Sequence, residues 1–239
     1  MKRIIGFWGF PHPDLINEYK SKYPEAQWLD LDIDFGYETT KLLPVAYCKI
    51  IKNIITNAIF YQNELITILA PIGKDKCDSG WFASALLKDL GFEVVESIFE
   101  EKKFKDIPLI STSNLPLRKK VEVITSNIVN KSATIIEECK PKFGFWGVPP
   151  NDLSILELFP NETHLYGWCR CVDAKAPADL ELEMYVDENV PTVFYAQAFC
   201  AKMQLAKYLA DKYNGLYIDI DDLATNSTRA KIEAFIELR

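Results

Sequence analysis

Cys77 and Cys200 carry the strongest chemical signal in this chain. Cys77 opens the segment CDSGWFASALL and Cys200 opens CAKMQLAKYLA; the two align without a gap, pairing Ala83 with Ala206 and Leu86 with Leu209. An apolar helical pattern follows each, so each thiol is expected at the amino end of a helix, where unpaired N–H groups and the helix dipole favour thiolate. Lys74 and Lys76 precede the first and Lys202 follows the second, while Asp75 and Asp78 oppose this effect. The ordinary alternative is that each is a small buried apolar residue, the commonest state of a free cysteine.

A second repetition accompanies the first. GFWGFPHPDL, starting at Gly6, returns 138 residues later as GFWGVPPNDL, starting at Gly144, with Phe7/Phe145, Trp8/Trp146, Gly9/Gly147, Pro11/Pro149 and Asp14/Asp152 identical. That much identity implies an internal duplication. Each copy ends a first strand and runs through a proline-containing loop into a helix, and ligands of open α/β sheets bind outside the carboxyl ends of strands. The candidate ligand-binding residues are therefore Trp8, Gly9, Pro11, His12, Lys74, Asp78, Ser79, Gly80, Trp146, Gly147, Pro149 and Lys202, with Cys77 and Cys200 as candidate catalytic groups. The two tryptophans would flank a planar ligand or fill the core. GKDKCDSGW would cradle a phosphate on helix N–H groups or be a solvated loop; it is no Walker A loop, and GxGxxG is absent.

The elements that must position these residues alternate along the chain. Apolar runs near 3–9, 26–32, 64–70 and 92–97 read as strands, separated by helical patterns near 13–22, 40–62 and 79–90. A helix near 115–138 follows. Strands near 142–147, 163–170, 191–197 and 215–220 then alternate with helices near 151–158, 177–187, 198–213 and 226–238. Parallel strands need crossover helices, so the fold class is α/β: two duplicated Rossmann-like halves with parallel sheets, related by a pseudo-twofold axis. The divisions are 1–112, a connecting helix over 113–140, and 141–239. The helix at 40–62 is apolar over more than one face, which predicts contact with the other half or with a second copy in a homodimer.

Composition narrows the partners. Of 239 residues 49% are hydrophobic and 26% charged, ordinary values for a folded protein. A formal charge of −7 argues against nucleic acid as a partner, and no apolar stretch is long enough to span a membrane. The start, MKRIIGFWGFPHPD, reads as a first strand and not as a leader, so a cytoplasmic location is expected, with the six cysteines as thiols. No metal site is expected. Cys169-x-Cys171 falls on the strand near 163–170 without a second ligand pair, and the carboxylates of LDLDIDFG (Asp30, Asp32, Asp34) and of YIDIDD (Asp219, Asp221, Asp222) would hold Mg²⁺ or form ordinary polar strand faces. Of the two histidines, His12, between prolines, is the better candidate for site chemistry.

The layout resembles the aspartate/glutamate racemase superfamily: IIGFWG as first strand, CDSGWFASALLKDLGFEVVESI like that family's Cys-Asn-Thr-Ala segment running into Gly-Ile-Pro-Val-Val, and CAKMQLAKYLADKYNGLYIDIDDLA like its second cysteine segment. The resemblance covers nearly the whole chain. Asp78-Ser79 replaces the family's Asn-Thr, and Ala201-Lys202 replaces its Thr followed by Glu or His. It implies two-base proton transfer without a cofactor, one cysteine thiolate removing the proton α to a carboxylate and the other thiol reprotonating the opposite face. The expected function is a small-molecule enzyme, isomerase- or racemase-like or a related lyase, with its site in the cleft between the halves. The alternatives are a non-catalytic protein binding a nucleotide or phosphorylated ligand, and a scaffold using the duplicated architecture for oligomer contacts.

Overall fold

The computed structural model describes residues 3–73, 76–100, 110–130 and 137–239. The chain divides into two units, Met1–Glu100 and Glu101–Arg239. The first contains β1 (Ile4–Phe7), α1 (Pro13–Lys22), β2 (Gln27–Asp30), α2 (Lys49–Phe60), β3 (Leu65–Pro71), α3 (Asp78–Asp89) and β4 (Val94–Ser97). The second contains α4 (Leu117–Ser126), β5 (Phe143–Trp146), β6 (Thr163–Tyr166), α5 (Trp168–Asp173), α6 (Leu180–Met184), β7 (Thr192–Gln197), α7 (Met203–Lys212), β8 (Leu216–Ile220) and α8 (Asn226–Glu237), with 3₁₀ turns at Ile110–Thr112 and Leu153–Leu158.

Each unit is an α/β layer structure built on a four-stranded, all-parallel sheet. The strand orders correspond: β2-β1-β3-β4 in the first and β6-β5-β7-β8 in the second. The central strands explain themselves. IIGF, FGFW and TVFYAQ are buried at every residue, as strands covered by helices on both faces must be.

Three expectations from the sequence require correction. The helix expected over 40–62 begins only at Lys49, because Pro44 removes a helical N–H and disfavours helix in the residue before it. The breadth of α2 has a local cause as well. Ile51, Ile54, Ile55 and Ala58 join the core with Leu29, Leu31 and Ile68, and the opposite face holds the chain's own preceding segment. Asn57 Nδ2 donates to the carbonyls of Leu31 (2.9 Å) and Ile33 (2.8 Å), Asn53 Nδ2 donates to that of Asp32 (3.0 Å), and Lys52 Nζ donates to that of Val45.

The helix expected over 115–138, within the connecting segment 113–140, is α4 alone, closing at Asn127, whose N–H bonds the carbonyl of Val123. Beyond it Glu138 pairs in a β-bridge with Ser113 and the Cys139 N–H bonds the carbonyl of Thr112; residues 131–136 of that expected helix lie outside the described residues. The strand expected to reach residue 170 stops at Tyr166. Gly167, at φ +70, turns the chain into α5, which buries Cys169 and Cys171 completely. Burial raises both thiols, Cys171 to about 12.

α4 places one cation in the interior of the second unit. Lys120 is fully buried, its Nζ donating to the carbonyls of Asn161 (2.9 Å) and Thr163 (2.5 Å) at the start of β6. Burial lowers its pKa from 10.5 to about 8. Between those values the unfolded chain binds the extra proton, so this group adds stability as pH rises and subtracts it fully below pH 8. We expect a gain of about 3 kcal/mol from pH 8 to pH 10.5 in wild type relative to Lys120→Met, read from urea unfolding at each pH. Equal pH slopes in the two proteins would refute it.

Candidate functional site

The repeated GFWG phrase is a backbone device in both units. Its second glycine leaves the strand with positive φ, +53 at Gly9 and +152 at Gly147. At Gly147 the chain also presses on β7: a Cβ there would lie 2.6 Å from the Tyr195 carbonyl oxygen. A side chain is excluded at that point by the close approach of the two strands' carboxyl ends. Because β6 lies on one side of β5 and β7 on the other, these ends flank the topological switch point of the sheet, where ligands of such folds bind.

A recess of about 230 Å³ lies there, counted with its open side and lined by Trp146, Gly147, Val148, Trp168, Glu183, Tyr195, Ala196, Gln197, Cys200 and Lys202. Its enclosed part has room for about one water molecule. The walls are held rigidly. Trp146 is buried in the core and its Nε1–H donates to the Glu183 carbonyl at 2.6 Å. Gln197 Oε1 accepts from Tyr195 Oη (3.0 Å) and Asn151 Nδ2 (3.1 Å), and its Nε2 donates to the carbonyls of Ile220 (2.8 Å) and Asp221.

Two groups on this lining carry chemistry. Cys200 is half-buried, and its sulfur accepts the Lys202 N–H at 3.5 Å. Lys202 forms an ion pair through Nζ with Glu183 of α6; the carboxylate side chain is 6% exposed and the lysine 29%. Lys202 is also the N-cap residue of α7, where the positive end of the helix dipole disfavours a cation. A rule of local sequence is broken here in favour of the recess.

The loop that carries Pro149 is anchored from the other side. Asp152 accepts from Ser154 N (3.1 Å), Ala224 N (3.1 Å) and Arg229 Nη2 (2.9 Å), tying it to α8. Burial opposes its ionisation, but these hydrogen bonds and the guanidinium outweigh it, and its pKa falls below the usual range. The resulting stability is present above the unfolded carboxylate value near 4 and is lost as pH drops through the folded one. Asp152→Ala should cost about 2–4 kcal/mol at pH 7 in a urea titration; a cost under about 0.5 kcal/mol would show the anchor to be idle.

The first unit arranges the matching residues differently. Trp8, expected beside a ligand, is buried in the core cluster with Leu29, Leu31 and Cys48, because the apolar face of α2 covers it. The Gly9 N–H donates to Asp32 Oδ2 at 3.0 Å. Pro11 is buried. His12 caps α1, its Nδ1 accepting the Asp14 N–H at 3.2 Å, while its ring stands edge-on to Phe99. Cys77 is exposed at the N-cap of α3; Asp78 is exposed, Ser79 Oγ accepts from Tyr47 Oη at 3.4 Å, and Gly80 is buried. Lys74 lies outside the described residues.

The three aspartates of LDLDIDFG do not converge on a cation. Burial, then the Asp32 charge, raises Asp30 well above the carboxylate range; burial raises Asp32 as well, offset by the Gly9 N–H. Asp34 pairs instead with Lys49 at 3.2 Å. Among the described residues no group of three or more His, Cys, Asp or Glu is placed to hold a metal, and no helix is long and apolar enough to cross a membrane.

Of the candidates named from sequence, Trp146, Gly147, Cys200 and Lys202 meet at the recess, with Pro149 in the adjoining loop. Sequence reasoning missed Glu183, Trp168, Tyr195 and Gln197. The signal that could have found Gln197 is a polar residue closing an otherwise apolar strand; for Glu183 there was none, since its surroundings on α6 read as an ordinary acidic helix face. Compared with known proteins, the chain matches no protein-family model and no curated protein.

Proposed function

We propose that this protein is a small-molecule enzyme that catalyses cofactor-independent proton transfer of the isomerase or racemase kind, with Cys200 as an acid/base group. The observation that carries the reading is the position of the Cys200 thiol on the recess at the switch point of the second sheet. In the forward step the thiolate takes a proton from a carbon α to a carbonyl or carboxylate, and hydrogen-bond donors must meet the developing enolate. The paired-thiol form of this reading gives the second proton transfer to Cys77. That cysteine is the exposed N-cap residue of the twelve-residue helix α3 and the alignment partner of Cys200.

The test is solvent deuterium exchange. Incubated in D₂O with a panel of small carboxylic acids, the protein should wash deuterium into the α-carbon of at least one of them, and that compound should slow iodoacetamide labelling of Cys200. Cys77, being exposed, should label fastest without ligand, and the buried Cys48, Cys169 and Cys171 slowest. Protection of Cys200 without exchange would replace this reading by non-catalytic binding. Neither effect with any compound would reject it.

A further inference from the structure

The recess as it stands encloses little room. Only about one water fits its enclosed part, so a ligand that reaches beyond the open side must displace part of the lining. Trp146, Tyr195 and Gln197 are buried and bonded in place, and Gly147 is backbone. Lys202 is the long, flexible member, partly exposed and set on the turn leading into α7, so its ammonium has solvent to retreat into. Its departure alone is opposed by charge: Glu183 would be left as a buried carboxylate without a counter-ion. A carboxylate or phosphate entering in its place would make the deficit worse.

We infer that Glu183 is the anchor of a cation subsite, that Lys202 occupies it as a tethered plug, and that the ligand of this recess carries an organic ammonium group that replaces the lysine ammonium on Glu183. The rings of Trp146, Trp168 and Tyr195 on the same lining suit the alkyl part and the cation together. The exchange keeps Glu183 paired at both ends of the reaction, and Lys202 gains hydration. This inference rests on the reading of the recess as a ligand site but not on its catalysis; binding of an ammonium compound with no deuterium exchange would leave it standing while the proton-transfer reading fell.

The probe is n-propylammonium, with 1-propanol as the uncharged compound of equal heavy-atom count, both titrated at constant ionic strength and followed by calorimetry. Lys202→Met should bind n-propylammonium at least ten-fold more tightly than wild type does, since the plug no longer competes, and at least ten-fold more tightly than it binds 1-propanol. The double variant Glu183→Gln/Lys202→Met should lose that preference. Equal affinity for the two compounds in Lys202→Met, or an undiminished preference in the double variant, would overturn the proposal. Should either variant fail to fold by circular dichroism, wild type decides: the Lys202 ¹³Cε resonance should move with n-propylammonium and stay fixed with sodium chloride or 1-propanol. A resonance that does not respond to n-propylammonium overturns it equally.

Discussion

Serine in place of Cys200 should lower the rate of α-deuterium exchange by about 10²–10⁴-fold, the usual contribution of a positioned acid/base group. The substitution is close to isosteric, and Cys200 is only half-buried on the turn before α7, so the fold should tolerate it. A hydroxyl keeps the hydrogen bond from the Lys202 N–H yet cannot ionise near neutral pH. The thermal midpoint should therefore stay within a few degrees while turnover collapses. Cys77→Ser should do the same if both transfers pass through thiols, and should leave exchange intact if Cys200 works alone. Full activity in Cys200→Ser removes the thiol from the mechanism altogether.

The second large effect compares one letter in the two copies of GFWG. Gly147→Ala should cost about 3–5 kcal/mol, because φ of +152 is closed to residues with a Cβ and the added carbon would stand 2.6 Å from the Tyr195 carbonyl oxygen, a backbone atom that cannot swing away. Gly9→Ala should cost only about 1–2 kcal/mol: φ of +53 lies in the ordinary left-handed region, and the nearest atom to the new carbon is Pro71 Cγ at 3.4 Å, an ordinary contact. The urea midpoint of the unit carrying each substitution measures the difference. Similar losses at the two sites would mean that the glycines do the same work, and that the close approach of β5 to β7 does not matter. Because Gly147 borders the recess, its alanine variant should also lose Cys200 protection by ligand.

The same phrase therefore shows how far identity of sequence extends to identity of environment. From Gly6 and Gly144 the strand partners are Ile68 and Thr192, and from there to the cysteines the chain runs 77 − 68 = 9 residues in one unit and 200 − 192 = 8 in the other. The ungapped alignment holds from the cysteines onward, with Ala83 and Ala206 both fully buried on their helices, but the path leading to each thiol differs by one residue. α3 starts directly after Cys77, whereas α7 starts three residues after Cys200, behind a turn in which the Met203 N–H bonds the Cys200 carbonyl. The two aspartates of the phrase part company too: Asp14 is exposed in the first turn of α1, and Asp152 anchors Arg229.

Short-range physics is legible in the order of the residues alone. Alternating apolar runs and helical periodicity specify strands joined by crossovers, hence parallel sheets, and Pro13 with a following helical pattern marks α1 at its observed bounds, Pro13–Lys22. The fully apolar β1, β5 and β7 announce their burial. The carboxyl ends of those strands then follow as the place for a ligand, which puts Trp146, Gly147, Cys200 and Lys202 within reach of sequence reasoning. Tertiary structure decided which side of each residue faces what. Whether Trp8 meets a ligand or α2, whether His12 faces a ligand or caps a helix, and whether Lys202 is solvated or held by a glutamate 19 residues away depends on elements brought together only by packing. Burial, counter-ions and backbone approach are long-range quantities: they are set by the neighbour across the sheet, and a chain read one residue at a time carries no record of that neighbour.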